Sequence, residues 1–183
     1  MEQVQSGILL ISDPFLKDPN FMRTVVLLCE HQESEGSFGL VLNKPMNLNL
    51  EDIVDQAAGL SIPVFNGGPV QKDSLHFIHR QPELLGGSPI TSDIFWGGDF
   101  QKVLDLLHAQ VLQAYDIRFF VGYSGWEKDQ LAGELTEKSW ITRPANTQLV
   151  FPKNSQQVWK QALADMGGEY SQMINYPIDP QLN

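Results

Sequence analysis

Cysteine is nearly absent from the sequence: Cys29 is the only one among 183 residues. A single cysteine excludes a disulfide within the chain, so the hydrophobic core has to hold the fold. Cys29 lies inside an apolar run, which is typical of a reduced, buried thiol. The N-terminus also lacks the basic segment and the cleavage site of a signal peptide. Together these features predict a cytoplasmic protein.

Long apolar runs and clustered cations are also missing. No stretch approaches the ~18 apolar residues of a membrane-spanning helix, so we predict no membrane segment. The net charge is −10, and no two Lys or Arg residues lie within four positions of each other. A nucleic-acid-binding protein needs clustered cations to displace counterions from phosphates. Direct nucleic-acid binding is therefore not expected, although folding could bring separate cations together.

Complete catalytic and ligand-binding motifs are absent too. The sequence contains neither a Walker A loop nor G-x-G-x-x-G, and it has no H-E-x-x-H or cysteine-rich pattern. His76 and His79 lie on a predicted strand, where this spacing places them on opposite faces. We predict no cofactor and no metal site. Ser124 resembles the serine of a nucleophile elbow, but Trp126 breaks the G-x-S-x-G pattern, so we interpret Ser124 as a small residue in a turn.

Short apolar, β-branched segments outnumber helical patterns and do not alternate with them strictly. This predicts an α+β fold with antiparallel hairpins and outer helices, rather than a doubly wound parallel sheet. The predicted strands cover residues 7–11, 22–29, 38–43, 62–65, 75–79, 90–96, 117–121, 140–142 and 149–151. The predicted helices cover residues 50–58, the segment after Asp99 with Val103, Leu104, Leu107 and Val111 on its buried side, the segment of Leu131 and Leu135, and residues 156–166.

Residues 117–135 form the most distinctive stretch, I-R-F-F-V-G-Y-S-G-W-E-K-D-Q-L-A-G-E-L. Its apolar run is expected to end at a sharp turn over residues 122–126, because two glycines three positions apart permit a tight backbone. A short helix should follow, with Gln130 and Glu134 as a polar pair on one side. Residues 1–183 are predicted to form a single domain, with residues 171–183 as a mobile tail.

An ordered series of landmarks surrounds this stretch. They are Phe21-x-Arg23-x-Val25, Glu30-His31, Gly39-x-Val41-x-Asn43-x-Pro45, Gly67-Gly68-Pro69-Val70, Leu75-His76, the stretch itself, Trp140, and Trp159 with Gly167. The series resembles the bacterial YqgE/AlgH family over almost the whole chain, and G-Y-x-G-W followed by Q-L-x-x-E-L is its most specific part. The resemblance implies one compact domain whose mixed, mostly antiparallel sheet is split or barrel-like and surrounded by helices. Ser124 stands where relatives commonly carry alanine, which argues against a mechanism that needs its hydroxyl.

The resemblance implies little about activity, because the family is largely uncharacterised. Its regulatory label comes from a member linked to alginate production. Our first hypothesis is a non-enzymatic binding protein that acts in regulation through an unknown protein partner and affects transcription indirectly. The lack of a complete catalytic motif favours this hypothesis over an enzyme.

The alternative hypothesis is an enzyme or sensor for a small anionic ligand. Its pocket would use polar and glycine positions that belong to the resemblance and are not needed to fill a core. Arg23 would hold the anion, while Glu30 and His31 would handle protons if the strand has ended or has a bulge at this point, so that the two side chains converge. Gly67 and Gly68 would either expose backbone N–H groups to the anion or permit a close turn. The remaining candidates are Asn43, Lys44, Tyr123, Trp126, Gln130 and Glu134.

Overall fold

The strands form the framework of the fold, and the computed structural model describes them within residues 3–178. The ten strands are β1 (Ile8–Ser12), β2 (Val25–Gln32), β3 (Gly36–Val41), β4 (Pro45–Asn49), β5 (Pro63–Asn66), β6 (Val70–His79), β7 (Ser88–Pro89), β8 (Phe95–Trp96), β9 (Ile117–Glu127) and β10 (Trp140–Pro144).

Short helices connect the strands and lie on the faces of the sheet. They are α1 (Leu50–Ile53), α2 (Pro82–Leu85), α3 (Phe100–His108), α4 (Gln130–Thr136), α5 (Thr147–Val150), α6 (Val158–Met166) and α7 (Gly168–Met173). Three-residue 3-10 turns occur at Asp55–Ala57, Ala114–Asp116 and Ser155–Gln157. Among residues 3–178, no helix is long and apolar enough to span a membrane.

The sheet is open and mostly antiparallel. Its strands follow the order β10–β1–β2–β3–β9–β6–β8–β7, and neighbours along this path are antiparallel. Strand β5 pairs with β9 in parallel, and β4 pairs with β5. The predicted α+β fold with a mostly antiparallel sheet is confirmed. The barrel-like alternative is wrong, because in the described chain β10 and β7 end the sheet without pairing with each other.

Strand β1 and the first five residues of β2 are buried on both faces, which explains why their sequences are almost entirely apolar. Successive side chains of a strand point to opposite faces. Leu9 accordingly packs in the same cluster as Trp159 of α6, while Leu10 packs in the cluster that contains Leu131 of α4. A third cluster joins α3 to β5, β6 and β9. The helices therefore cover the sheet in separate places, and the core is divided among three clusters.

Strand β9 runs without interruption from Ile117 to Glu127, so the predicted turn over residues 122–126 is wrong. Gly122 does adopt a left-handed backbone, with a φ of 71°. The strand changes its neighbour near this glycine: its first half pairs with β5, and its second half pairs with β3. The glycine thus permits a local irregularity inside a strand, and the hydrogen-bonded ladder continues beyond it.

Some local predictions fail for similar reasons. Residues 149–151 were expected to form a strand, but Asn146 caps α5 by accepting a hydrogen bond from the Leu149 N–H. The predicted strand over residues 90–96 contracts to β8, which pairs with β7 across a turn. Val111 is 61% exposed, because α3 ends at His108 and does not continue to Val111.

The predicted tail is also partly wrong, because α7 continues from the glycine that ends α6. Met173 and Ile174 pack against the cluster of α6, and the Phe15 and Tyr176 rings stack with centroids 5.5 Å apart. The segment from Ser171 to Tyr176 therefore packs on the folded domain. The rest of the predicted tail, residues 179–183, lies outside the described residues.

His79 is a fully buried imidazole whose hydrogen bonds determine its tautomer. Its Nδ1 accepts a hydrogen bond from the Gln81 N–H at 3.0 Å, so the proton of the neutral ring is on Nε2, which donates to the Gly97 carbonyl at 2.8 Å. Burial disfavours the charged ring and lowers the pKa of His79, and the hydrogen bond to Gly97 opposes this shift only in part. Protonation of Nδ1 would break the hydrogen bond from Gln81.

We therefore expect the stability of the protein to fall as the pH drops below about 6.5, the ordinary pKa of histidine. Below that pH the unfolded chain binds the proton more readily than the folded chain does, so acid favours unfolding. The half-buried His76, whose pKa burial also lowers, contributes in the same direction. Thermal unfolding between pH 8 and pH 5 measures the effect. A His79→Gln variant should show a flatter profile than the wild-type protein, because the group with the lowered pKa is gone. Equal slopes in the two proteins would contradict the assignment.

Candidate functional site

The residues of the most specific sequence motif form a hydrogen-bonded network around the Glu134 carboxylate. Oε2 accepts hydrogen bonds from the indole N–H groups of Trp126 at 2.9 Å and Trp140 at 2.7 Å. Oε1 accepts a hydrogen bond from the Gln130 amide at 3.0 Å, and the Gln130 side-chain oxygen accepts one from the Glu127 N–H. We call Trp126, Gln130, Glu134 and Trp140 the Glu134 network.

The Glu134 network joins β9, α4 and β10. Both tryptophans are 5% exposed, and the Phe21 ring contacts both of them at centroid distances of 6.2 and 5.5 Å. Buried indole N–H groups need acceptors, and one carboxylate supplies them for both rings. The motif that identifies the chain therefore fixes a helix against two strands, and its polar atoms are engaged within the protein.

Asn43 and Lys44 organise the loop before β2. The Asn43 Oδ1 accepts a hydrogen bond from the Val25 N–H at 3.0 Å, and its Nδ2 donates to the Arg23 carbonyl at 2.9 Å. The Lys44 ammonium donates to the carbonyls of Pro19 and Asn20, both at 2.7 Å. Both side chains thus hold backbone groups of a connecting loop.

Arg23 contacts the C-terminal segment. Its Nη2 donates to the Tyr176 carbonyl, and its guanidinium lies over the Trp159 ring, 4.5 Å from the centroid. Its Nε is buried without a hydrogen-bond partner in the part of the chain that the structure describes. The sequence assigned Arg23 to an anion, but in the structure its contacts are an aromatic ring and a carbonyl.

The backbone of Gly67 and Gly68 lies directly against the backbone of β9. A Cβ added to Gly67 would lie 2.4 Å from the Gly122 carbonyl oxygen, and one added to Gly68 would lie 2.2 Å from that of Tyr123. The Gly67 N–H donates to the Val121 carbonyl, and the Gly68 N–H donates to the Asn66 side chain. The buried Ser124 hydroxyl donates to the Gly67 carbonyl at 3.1 Å. Of the two alternatives for the glycine pair, the geometry favours close packing, because both N–H groups are already bonded. Ser124 likewise has a structural role in a strand, not in a turn.

Glu30 and His31 do not act on each other. The sheet has a bulge between Leu28 and Glu30, but beyond it the two residues still alternate, with Glu30 opposite Phe38 and His31 opposite Ser37. The exposed Glu30 carboxylate accepts a hydrogen bond from the Gln32 amide at 2.6 Å. His31 Nδ1 lies 2.7 Å from the Ser37 hydroxyl in the wall of a cavity of about 600 Å³.

Tyr123 belongs to a separate location, a half-buried group of rings on one face of the sheet. The Phe38 ring contacts those of Tyr123, Trp96 and His76 at centroid distances of 4.9, 5.0 and 5.4 Å. The Ser74 hydroxyl donates to the Gln71 carbonyl, so the His76 Nε2, 3.0 Å away, donates to that hydroxyl. These rings pack on one another and extend the hydrophobic core.

The structure brings together Trp126, Gln130 and Glu134, and it joins Asn43 to Arg23, but it does not gather the predicted binding residues in one pocket. The 600 Å³ cavity contains His31 but none of the others, and Lys44 and Gly68 share a separate small cleft. Two further cavities on either side of residues 151–154 contain none of them. The described chain thus gives no support to a single pocket built from all the sequence candidates.

Sequence reasoning missed Arg118, which is buried in β9 with 8% exposure. Its Nη1 donates to the Val150 carbonyl at 2.9 Å, and its Nη2 donates to the Leu42 carbonyl at 2.6 Å. The guanidinium lies over the Phe65 and Phe120 rings, 4.2 and 5.1 Å from their centroids. Burial lowers its pKa to about 9, so the group stays charged at neutral pH. The sequence does contain an indication of this site, because Arg118 is a charged residue inside the apolar run of residues 117–121.

Arg118 also lines a cavity of about 430 Å³ between β5 and the loop that precedes α6. Its walls carry a second cation, Lys153, and no Asp or Glu residue. The apolar part includes Ile62, Phe65 and Phe151, and Ser155 and Gln156 supply polar groups. We call this the Arg118 cavity.

The chain is a single-domain α+β protein with an open, mostly antiparallel sheet, and its most specific sequence motif joins α4 to β9 and β10. Comparisons with known proteins identify the family. The sequence model described as AlgH-like matches residues 9–171. A UPF0301 protein of Cytophaga hutchinsonii is 44% identical over 179 residues, covering 97% of this chain and 98% of that protein. A UPF0301 protein of Chlorobaculum tepidum is 38% identical over 183 residues, covering 100% of this chain and 97% of the relative. The chain therefore belongs to the AlgH-like family, which confirms the resemblance.

Solved structures show the same architecture. The solution structure of the AlgH protein from Pseudomonas aeruginosa aligns with a TM-score of 0.70 at 30% identity and covers 97% of this chain and 98% of its own. A crystal structure of a Corynebacterium diphtheriae protein aligns with a TM-score of 0.77 over 96% of this chain and 94% of its own. At 18% identity this second likeness concerns the fold alone.

Proposed function

We propose that this protein is a non-enzymatic binding protein of the bacterial cytoplasm, which acts in regulation through a protein partner and affects transcription indirectly. The observation that carries the proposal is the Glu134 network. In an enzyme, the polar groups of the motif that identifies the family would be expected to face a substrate. Here Glu134 and Gln130 instead hold α4 against β9 and β10.

Other reactive groups support the same conclusion. The Cys29 thiol is buried, and desolvation, assisted by the charge of Glu30, raises its pKa, which makes it a poor nucleophile. Ser124 is buried and donates its proton to a backbone carbonyl. A net charge of −10 with dispersed cations argues against direct contact with DNA, so a protein partner is the simpler route to regulation.

One contact favours a second candidate function, a hydrolase. The Ser37 hydroxyl lies 2.7 Å from His31 Nδ1 in a cavity of about 600 Å³, which is the distance expected of a nucleophile and its general base. However, the two residues are directly opposite each other in a hairpin, where such a contact also stabilises the pair of strands. In the described chain no carboxylate is hydrogen-bonded to the His31 ring to orient it.

The two candidates can be separated in a strain that lacks the gene for this chain. The wild-type protein should restore the transcript profile of this strain. Ser37→Ala and His31→Gln variants should restore it equally, because a protein that acts by binding a partner does not need a nucleophile and a general base. A catalytic pair would lose about 10²-fold or more of its activity with either substitution, so its variants would fail to restore the profile. The measurement is RNA sequencing of the complemented strains.

Two controls complete this experiment. Thermal unfolding of both variants must match that of the wild type, which separates loss of function from loss of fold. Purified protein should also show no specific binding to the promoters of the affected genes at low salt. Restoration by the wild type alone would overturn the non-enzymatic proposal, and specific promoter binding would overturn the indirect route.

A further inference from the structure

We propose that the Arg118 cavity binds a small organic anion, whose carboxylate or phosphate group meets Arg118 and Lys153 and whose apolar group contacts Phe65 and Phe151. The inference rests on the proposed function, because it supplies a ligand for a binding protein. None of the residues that line this cavity is among the binding residues predicted from the sequence.

The first argument is the charge of Arg118. A buried cation loses its hydration, and the loss is normally offset by a carboxylate. Within residues 3–178 the only ion pair joins Arg143 and Asp165, so no side-chain carboxylate of the described chain pairs with Arg118. The carbonyls of Val150 and Leu42 accept two of its hydrogen bonds but carry no net charge. An anion in the cavity would supply the missing opposite charge.

The second argument is the composition of the walls. The chain has 22 acidic and 12 basic residues, yet the Arg118 cavity has two cations and no acidic residue in its lining. A local excess of positive charge in an acidic protein attracts anions to that place and repels cations. Lys153 lines the cavity with an exposed, flexible side chain, whereas the hydrogen bonds and ring contacts of Arg118 hold its guanidinium in a fixed position.

The third argument concerns the size and apolar lining of the cavity. A volume of about 430 Å³ falls within the range of small-molecule sites, which are mostly apolar with a few polar groups that orient the ligand. Ile62, Phe65 and Phe151 provide the apolar surface, while Ser155 and Gln156 add hydrogen-bonding groups. Inorganic phosphate would leave the apolar walls without contact. The geometry therefore favours an anion that carries a flat or aliphatic group.

The test is a titration of the ¹⁵N-labelled full chain with simple probes, followed by NMR. Phenyl phosphate and benzoate represent the two anionic groups, benzamide is the neutral counterpart of benzoate, and inorganic phosphate is the anion alone. We expect saturable shifts of the Phe65 and Ser155 amide signals with at least one aromatic anion, and much weaker effects with benzamide and with inorganic phosphate.

Substitutions then assign the binding to the two cations. Arg118→Met should weaken binding by about tenfold to a hundredfold, as expected for the loss of hydrogen bonds to a charged group. Because this change also leaves two carbonyls without their donor, a surface variant is needed as well. Lys153→Gln should weaken binding by about two- to fivefold without altering the fold, whereas Lys160→Gln, an exposed lysine on α6 that does not line the cavity, should have no effect.

The outcomes separate this inference from the proposed function. Equal shifts with benzamide and benzoate, no saturable shift with any anion, or binding that is indifferent to Lys153→Gln would overturn the anion site. None of these results affects the proposed role in regulation. Release of phenol from phenyl phosphate that is lost in Ser37→Ala would overturn the non-enzymatic function and would leave the site in place.

Discussion

Replacement of Gly68 by alanine is expected to destabilise the protein by more than about 4 kcal/mol, enough to unfold a domain of ordinary stability. Gly68 has a φ of 152°, a backbone conformation that side chains rarely adopt. An added Cβ would also lie 2.2 Å from the carbonyl carbon and oxygen of Tyr123. These atoms belong to the backbone of β9, so they cannot rotate away as a side chain could. Thermal and urea unfolding of the purified variant measure the effect.

A second glycine provides the matched control. Gly133 lies in the middle of α4, it has no neighbouring atom within 4 Å of an added Cβ, and its backbone is not left-handed. Gly133→Ala should therefore stabilise the protein by about 0.5–1 kcal/mol through helix propensity. If Gly68→Ala unfolded at the same temperature as the wild type, the close crossing of residues 67–68 and β9 would be wrong.

The glycine pairs show what a sequence can and cannot predict. The sequence locates Gly67-Gly68 at the end of a strand and limits its role to anion contact or close packing. The choice depends on residues 122–124, which are far away in the chain and lie against the pair only after folding. Gly122 illustrates the converse error: a glycine after an apolar run predicts a turn, but pairing with β3 continues the strand past it.

The sequence predicts a structure well where residues close together in the chain determine it, as in a helix cap or the buried face of a helix. Asp99 caps α3 as expected, and Leu131 of α4 is buried while Leu135 packs beside it. Residues 149–151 have a strand-like composition, but residues 147–150 form a helix because the Asn146 side chain caps its N-terminus. Residues 171–178 contain few apolar side chains, but two of them, Met173 and Ile174, pack against the core, which a count of apolar residues does not reveal.

The candidate site shows the same division. The sequence predicted the Gln130–Glu134 pair, because both residues lie on one helix and are one turn apart. It did not predict that two tryptophans from different strands would share the same carboxylate, since this depends on the packing of three elements. Arg118 was overlooked because its neighbours are apolar, although a charge at a buried strand position is itself the unusual feature.

Replacement of Glu134 by alanine is expected to destabilise the protein by about 3 kcal/mol and to lower its unfolding midpoint by about 6–12 °C. The change removes the acceptor of the Trp126 and Trp140 indole N–H groups, and both rings are only 5% exposed. A buried donor without a partner costs about 1–3 kcal/mol, so the two losses together account for the expected effect. Glu134→Gln keeps one oxygen acceptor and should cost only about 1 kcal/mol.

A double-mutant cycle distinguishes the network from a loss of helix stability. In a Trp140→Phe background one of the two donors is absent, so Glu134→Ala should cost less there than in the wild type, with a coupling of about 1 kcal/mol. The neighbouring Glu137→Ala, an exposed residue outside the network, should change stability by less than about 0.5 kcal/mol. Strictly additive effects of Glu134→Ala and Trp140→Phe would mean that the carboxylate does not hold the two strands to α4. The identifying motif would then need another explanation, and the argument for a binding protein would lose its main support.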